Sequence, residues 1–266
     1  MSCSPPRSGL STYRDIIDEA LRIVSSAAKD HILLRVMGAL AVNIHCPVYG
    51  NMLEKMERVP TDIDFASYAR FKDKLANFLP ALGYTTDTRL MRFPSYAEGN
   101  RQVYHGKTTV DIFFDGLNMC HTIDWSKRLD LDDPTIPLAD IVLEKLQIVQ
   151  INPKDVKDLI VLFLEHEIGN TDRDTVNKKY ISELLCKDWG FYYTATTNLQ
   201  KIAGSVDKYI SLPDHELDKV LKRIEGLLQM IEKEPKSLAW KMRSRVGTKK
   251  QWYQDVEEMR ESRKIE

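Results

Sequence analysis

The chain has 266 residues, 43% of them apolar and 29% charged, with a formal net charge of −1 at pH 7. This is the profile of an ordinary globular protein, and it gives no global pull toward nucleic acid or an anionic membrane. No apolar run approaches the roughly 20 residues needed to span a bilayer. The opening stretch M-S-C-S-P-P-R-S-G-L lacks the apolar core of a signal peptide, so a cytoplasmic location is expected. The four cysteines, Cys3, Cys46, Cys120 and Cys186, are scattered, with no C-x-x-C and no histidine at zinc-ligand spacing. They read as buried free thiols rather than a structural zinc site.

In chain order, 11–29 reads as a helix with Ser11 as N-cap and an apolar stripe through Ile16, Ile17, Ala20, Leu21 and Val24. The run I-L-L-R-V-M (32–37) reads as a buried strand. Gly38 ends it, and 39–45 opens a helix. A strand, a glycine and a helix start aim free backbone N–H groups at an anion. After a connection of open form at 47–60, T-D-I-D-F-A-S (61–67) reads as a strand. A helix over 71–83 closes at Gly83, and a strand is expected over 84–93, with a turn at 94–100. The segments 101–105 and 108–115 form a hairpin about Gly106-Lys107. In its second arm Val110, Ile112 and Phe114 share one face, and Thr109, Asp111, Phe113 and Asp115 the other. From Pro137 onward the chain reads as helical, at 140–149, 153–167, 174–187, 194–210, 213–234 and 248–264. The expected fold class is therefore α+β: a mixed sheet flanked by helices over 1–134, followed by an α-helical bundle over 135–266.

The pair Asp62/Asp64 carries the chemistry. Side chains alternate along a strand, so the two carboxylates share a face about 7 Å apart along the backbone. They repel each other unless a cation lies between them, which is costly in a core and useful at a site for Mg²⁺ and phosphate. Asp111, with Asp115 as its same-face alternative, adds a third carboxylate from another strand. Three converging carboxylates suit two divalent metals acting on a phosphoryl group. Without that convergence, a D-x-D is an ordinary solvated strand end.

The order Gly38-Ala39, then T-D-I-D, then V-D-I-F-F-D resembles the core of the polymerase-beta-like nucleotidyltransferase superfamily. Further on, P-L-A-D-I-V-L-E-K-L-Q (137–147) and N-P-K-D-V-K-D-L-I-V-L (152–162) are similar to the paired helices of the AbiEii-like toxin nucleotidyltransferases, and Arg58, a few residues ahead of the D-x-D, resembles the arginine of that family's R-x-[ST]-x-D-I-D, with Pro60 at the Ser/Thr position. The resemblance covers roughly 30–166. It implies that Asp62, Asp64 and Asp111 hold two Mg²⁺ ions on an NTP. It also implies that Gly38, Ala39, Arg58, Lys145, Asp155 and Asp158 serve the nucleotide. NMP would pass to a hydroxyl of a tRNA 3′ end, a small molecule or a protein, with a cognate antitoxin as a possible partner. The chain departs from the family at Ala39, where Gly-Gly or Gly-Ser is usual and a serine would add a hydroxyl, and in the long segment between Gly38 and Asp62.

Simpler readings stand beside these. Lys145 borders an apolar stripe and could snorkel to solvent. Asp155 could complement the positive end of its helix after Pro153. Lys241, Arg243, Arg245, Lys249 and Lys250, interleaved with Trp240, Trp252 and Tyr253, could contact RNA or form a solvated face offset by Glu257, Glu258 and Glu261. At the level of the molecule, the alternatives are a nucleotide-binding or regulatory protein with weakened catalysis, and an interaction module working through its helical half.

Overall fold

The computed structural model describes residues 12–86 and 100–255. Helix α1 (Tyr13–Lys29) opens on a capping box: Thr12 Oγ1 accepts from the Asp15 N–H, and the Asp15 carboxylate accepts from the Thr12 N–H. The cap is thus Thr12, one residue past the expected Ser11, because only Thr12 has a carboxylate three residues ahead. Strand β1 (Leu34–Met37) runs directly into α2 (Gly38–His45). The open connection contains a short helix, α3 (Asn51–Lys55), and leads to β2 (Asp62–Ser67). Helix α4 (Lys72–Ala81) follows, then β3 (Thr85–Thr86), β4 (Arg101–His105) and β5 (Thr109–Phe114). The rest of the expected 84–93 strand and nearly all of the 94–100 turn lie outside the described residues.

These five strands form a mixed sheet in the order β1-β2-β5-β4-β3. Its one parallel pair, β2 with β5, lies second from the β1 edge. Alternation divides its faces. Ile63, Phe65, Val110, Ile112 and Phe114 are buried in the core, while Asp62, Asp64, Asp111 and Phe113 take the other side. A two-stranded ribbon, β6 (Gly116–Asn118) and β7 (Thr122–Asp124), extends from β5. The chain then returns to the sheet beside β1, where the Val36 N–H donates to the Pro134 carbonyl and the Ile136 N–H to the Val36 carbonyl.

Helices α5 (Leu138–Leu146) and α6 (Pro153–Glu165) come next. From Leu159 to Leu164 every residue of α6 is fully buried, the mark of a helix enclosed on all sides. It packs against α2, α3 and α5, and against α9 (Asp214–Lys233). The expected 174–187 helix is shorter: β8 (Ile168–Gly169) pairs with β9 (Val176–Asn177), and α7 spans Lys178–Leu185 with Asn177 as its cap. Helix α8 (Trp189–Ala203) begins before 194 because the Asp188 carboxylate caps it, accepting from the Gly190 and Phe191 N–H groups.

The last expected helix is corrected. Helix α10 spans Leu238–Val246, started by Ser237, whose hydroxyl accepts from the Trp240 N–H, and stopped by Gly247 at φ +59°. Residues 250–255 are not helical. The remainder of the expected 248–264 helix lies outside the described residues. Cys46, Cys120 and Cys186 are buried free thiols.

Candidate active site

Strand register creates the acidic cluster. Asp64 on β2 lies directly opposite Asp111 on the parallel strand β5, and Asp62 shares their face. One carboxylate oxygen from each of the three residues falls within 4.8 Å of the others. Burial first, and then the negative charges of Asp62, Asp111 and Glu144, hold the Asp64 carboxyl well above the usual carboxylate range. Burial also raises Asp111, against the pull of Arg101, whose Nη2 lies 2.5 Å from Asp111 Oδ2. The other Asp111 oxygen is buried with no hydrogen-bond partner among the described residues. Three hard oxygen donors, one of them orphaned, fit a Mg²⁺-type cation. Asp115 does not join the cluster. It turns out of β5 at φ +58° and its carboxylate accepts from the Ala69 N–H at 3.0 Å.

Gly38 abuts this cluster because Met37 pairs with Asp64 across β1 and β2. Its φ of +68° suits glycine, and a Cβ there would stand 2.6 Å from Asp64 Oδ2. The Gly38 N–H donates to Glu144 Oε2 at 3.1 Å, so the anion at the start of α2 is a side chain of α5. Ala39 is buried, and its carbonyl accepts from the Tyr13 hydroxyl.

Behind the cluster lies a network of ions. Lys145 does not snorkel. It is 6% exposed, and its Nζ stands 3.3 Å from oxygens of Glu144, Asp155 and Asp158. Burial alone would depress its pKa, but Glu144, Asp158 and Asp155 together outweigh that and raise it well above the usual lysine value. Arg58 grips Asp158 through Nε and Nη2 at 3.0 and 3.1 Å. Asp155 sits in the first turn of α6 and also accepts from the Asn152 side-chain amide, so it serves both the helix start and the lysine. Arg58, Lys145, Asp155 and Asp158 are thus brought together with one another. Glu144, bonded to Gly38 and paired with Lys145, joins them to the metal-type cluster.

A cleft of about 690 Å³ opens over these groups. Asp62, Asp64, Asp111, Glu144 and Asp155 line it, and Arg58 and Lys145 stand behind its wall. Its remaining lining is largely apolar, with Phe113, Leu117, Met119, Ile148 and Val149, and it includes Tyr253 and Asp255 from the C-terminal segment. Among the charged lining residues, Arg101, Glu144 and Asp255 carried no expectation from the sequence, and Tyr253 was expected only as a possible RNA contact. Arg101 had a signal. A hairpin about 106–107 pairs Val103 with Asp111 and sets Arg101 diagonally across from Asp111 on the same face. Glu144 and the tail residues had none, because they reach the cleft only through helix packing.

No family model matches the chain, and no curated protein matches it. Among solved structures, the solution structure of the antibiotic-resistance factor ANT(2'')-Ia superposes with a TM-score of 0.40 at 10% identity, covering 65% of this chain and 95% of that one. A likeness of that size carries no argument for fold or reaction. No helix among the described residues is long and apolar enough to cross a membrane.

Proposed function

We propose that this chain is a Mg²⁺-dependent nucleotidyltransferase that moves NMP from an NTP to a hydroxyl and releases pyrophosphate. The observation that carries the reading is the convergence of Asp62, Asp64 and Asp111 from two adjacent parallel strands, with one buried Asp111 oxygen that has no hydrogen-bond partner among the described residues. Mg²⁺ held there would offset the charge of the triphosphate and acidify the acceptor hydroxyl. Asp62, Asp64 and Asp111 would hold the metal, with Asp62 and Asp64 the donors expected to serve the triphosphate and Asp111 the one expected to complete the set. Lys145 and Arg58 hold Glu144, Asp155 and Asp158 in place and offset their charge behind the cleft wall. The acceptor belongs to one of three classes: a tRNA 3′ end, as in a toxin with a cognate antitoxin; a small molecule; or a protein side chain. The expected setting is the cytoplasm.

One observation favours a second reading, a nucleotide-binding protein with weakened catalysis. The Gly38 N–H, expected to meet a phosphate, is taken by Glu144, and Ala39 has no hydroxyl to add. Labelled NTPs with Mg²⁺ and total RNA, a small-hydroxyl panel or the protein alone separate the two. Under the first reading label passes to one acceptor, and Asp62→Ala or Asp64→Ala reduces transfer to background with the fold intact. Full activity in the double variant would sink the assignment. An NTP-dependent thermal shift with no product on any acceptor favours the second reading.

A further inference from the structure

Of the C-terminal basic residues, Lys241, Arg245, Lys249 and Lys250 are exposed, whereas Arg243 and the aromatic Trp252 are built into the fold. Arg243 donates from Nη1 to the Gly247 carbonyl at 2.7 Å and from Nη2 to the Lys250 carbonyl at 2.8 Å, and its guanidinium lies 4.6 Å from the Trp189 ring centre. It thereby folds the chain back after α10. Trp252 then docks on α8: its Nε1–H donates to Thr194 Oγ1 at 3.1 Å and its ring meets Tyr193 edge-on at 5.3 Å. Gly190 leaves room for the strap, since a Cβ there would stand 2.3 Å from the Trp252 carbonyl oxygen. Two residues on, the Gln254 N–H donates to the Cys120 carbonyl at 2.9 Å, in the turn between β6 and β7. These anchors hold residues 250–255 beside the acidic cleft, and Tyr253 and Asp255 are part of its lining.

We infer that this strap is the nucleobase-binding wall of the site, with Tyr253 as the stacking platform and Asp255 as the group that reads the base edge. The inference rests on the nucleotidyltransferase reading and names the part of the molecule that would hold the base. A nucleotide has an anionic end and a flat, largely apolar end. The lining of the cleft combines the metal-type cluster with Phe113, Leu117, Met119, Ile148 and Tyr253. An aromatic ring on a base contributes stacking that every base accepts. Asp255 is not among the three carboxylates close enough to share a metal ion, and with no cation between them a carboxylate repels a phosphate. An ionised carboxylate only accepts hydrogen bonds, so it suits a base edge that bears an amino group, as in adenine, guanine and cytosine. Uracil offers one N–H between two carbonyl oxygens, which a carboxylate repels. Asp255 is exposed, and its carboxylate accepts from the Gln251 amide at 3.0 Å, a contact within the strap itself.

The test uses the full chain and thermal-shift titrations with Mg²⁺ plus ATP, GTP, CTP, UTP or inorganic tripolyphosphate, which has no base. The unliganded melting temperature of each variant controls for folding. The expected result is that Tyr253→Ala weakens binding of the preferred NTP about tenfold or more and leaves tripolyphosphate binding unchanged, and that Tyr253→Phe restores the NTP. UTP binds the wild type more weakly than the amino-bearing NTPs, and Asp255→Asn narrows that gap. NTP binding by Tyr253→Ala equal to the wild type overturns the inference alone, as does an equal loss of NTP and tripolyphosphate binding. A preference for UTP overturns the role of Asp255. No shift of the wild type with any NTP overturns the nucleotidyltransferase reading, and the inference with it.

Discussion

Asp64 shows the tension between stability and chemistry in a single residue. Its carboxylate is hemmed in by Asp62, Asp111 and Glu144 and pushed toward the protonated form, so its charge works against the fold until a cation arrives. Replacement by the neutral isostere should therefore stabilise the protein and abolish its activity. We expect Asp64→Asn without Mg²⁺ to melt above the wild type, by about 1–2 kcal/mol or a few degrees. Added Mg²⁺ should raise the wild-type melting temperature and leave the variant nearly unmoved, in a calorimetric or dye-based melt. The geometry at this scale was largely legible in advance. The two-residue period of a strand puts Asp62 and Asp64 on one face, and the hairpin register reaches Arg101. The choice between Asp111 and Asp115 was not legible, because both share a face of the strand. The turn at Asp115, which ends β5 with a positive φ, settles it.

At the scale of elements, α5 and α6 are joined by charge as well as by packing. Lys145 on α5 is the common partner of Glu144, Asp155 and Asp158, and the last two belong to α6. Removing it leaves three buried or nearly buried carboxylates with Arg58 as the remaining nearby cation. Lys145→Met is expected to cost about 3–5 kcal/mol, read as a lower urea midpoint with little change in the slope of the transition. A loss below about 1 kcal/mol would mean that the lysine is an ordinary surface group. Helix positions followed from periodicity, but their ends followed from caps. Thr12, Asn152, Asn177, Asp188 and Ser237 each accept a backbone hydrogen bond at a helix start. Asp188 and Ser237 start α8 and α10 ahead of the expected positions 194 and 248, because a capping side chain fixes a helix start that periodicity alone leaves open.

At the scale of the molecule, one hydrophobic cluster runs from Tyr13 on α1 through the sheet and α6 to Ile231 on α9. Polar joints connect its parts, and His121 is one of them. It sits in the β6–β7 turn, stacks on Phe191 at 4.8 Å, and faces Thr194 Oγ1 at 2.8 Å across Nε2; that hydroxyl also receives Trp252 from the C-terminal strap. Burial pushes the imidazole down to about 4. It is neutral when folded and becomes charged near pH 6.5 when unfolded, so the unfolded state binds the extra proton between those values. Its contribution is fully present above about pH 6.5 and is lost as pH falls toward 4, amounting to about 2–3 kcal/mol. We expect His121→Gln, though less stable at pH 7, to show a shallower fall in stability from pH 6.5 to 4.5 than the wild type in chemical denaturation. An unchanged slope would show that the histidine titrates equally in both states.

The sequence by itself determined the alternation that exposes the acidic face, the glycine at the start of α2, the hairpin, and the helical character of the second half. All of these arise from local rules: side-chain period, backbone freedom and turn chemistry act over a few residues. Only the tertiary structure decided that Glu144 occupies the Gly38 N–H, that Lys145 is buried among three carboxylates, and that a strap about 190 residues beyond Asp62 lines the cleft. Those contacts join segments far apart in the chain, and their energies come from burial and paired charge. Both depend on which surfaces meet, and no local pattern records that.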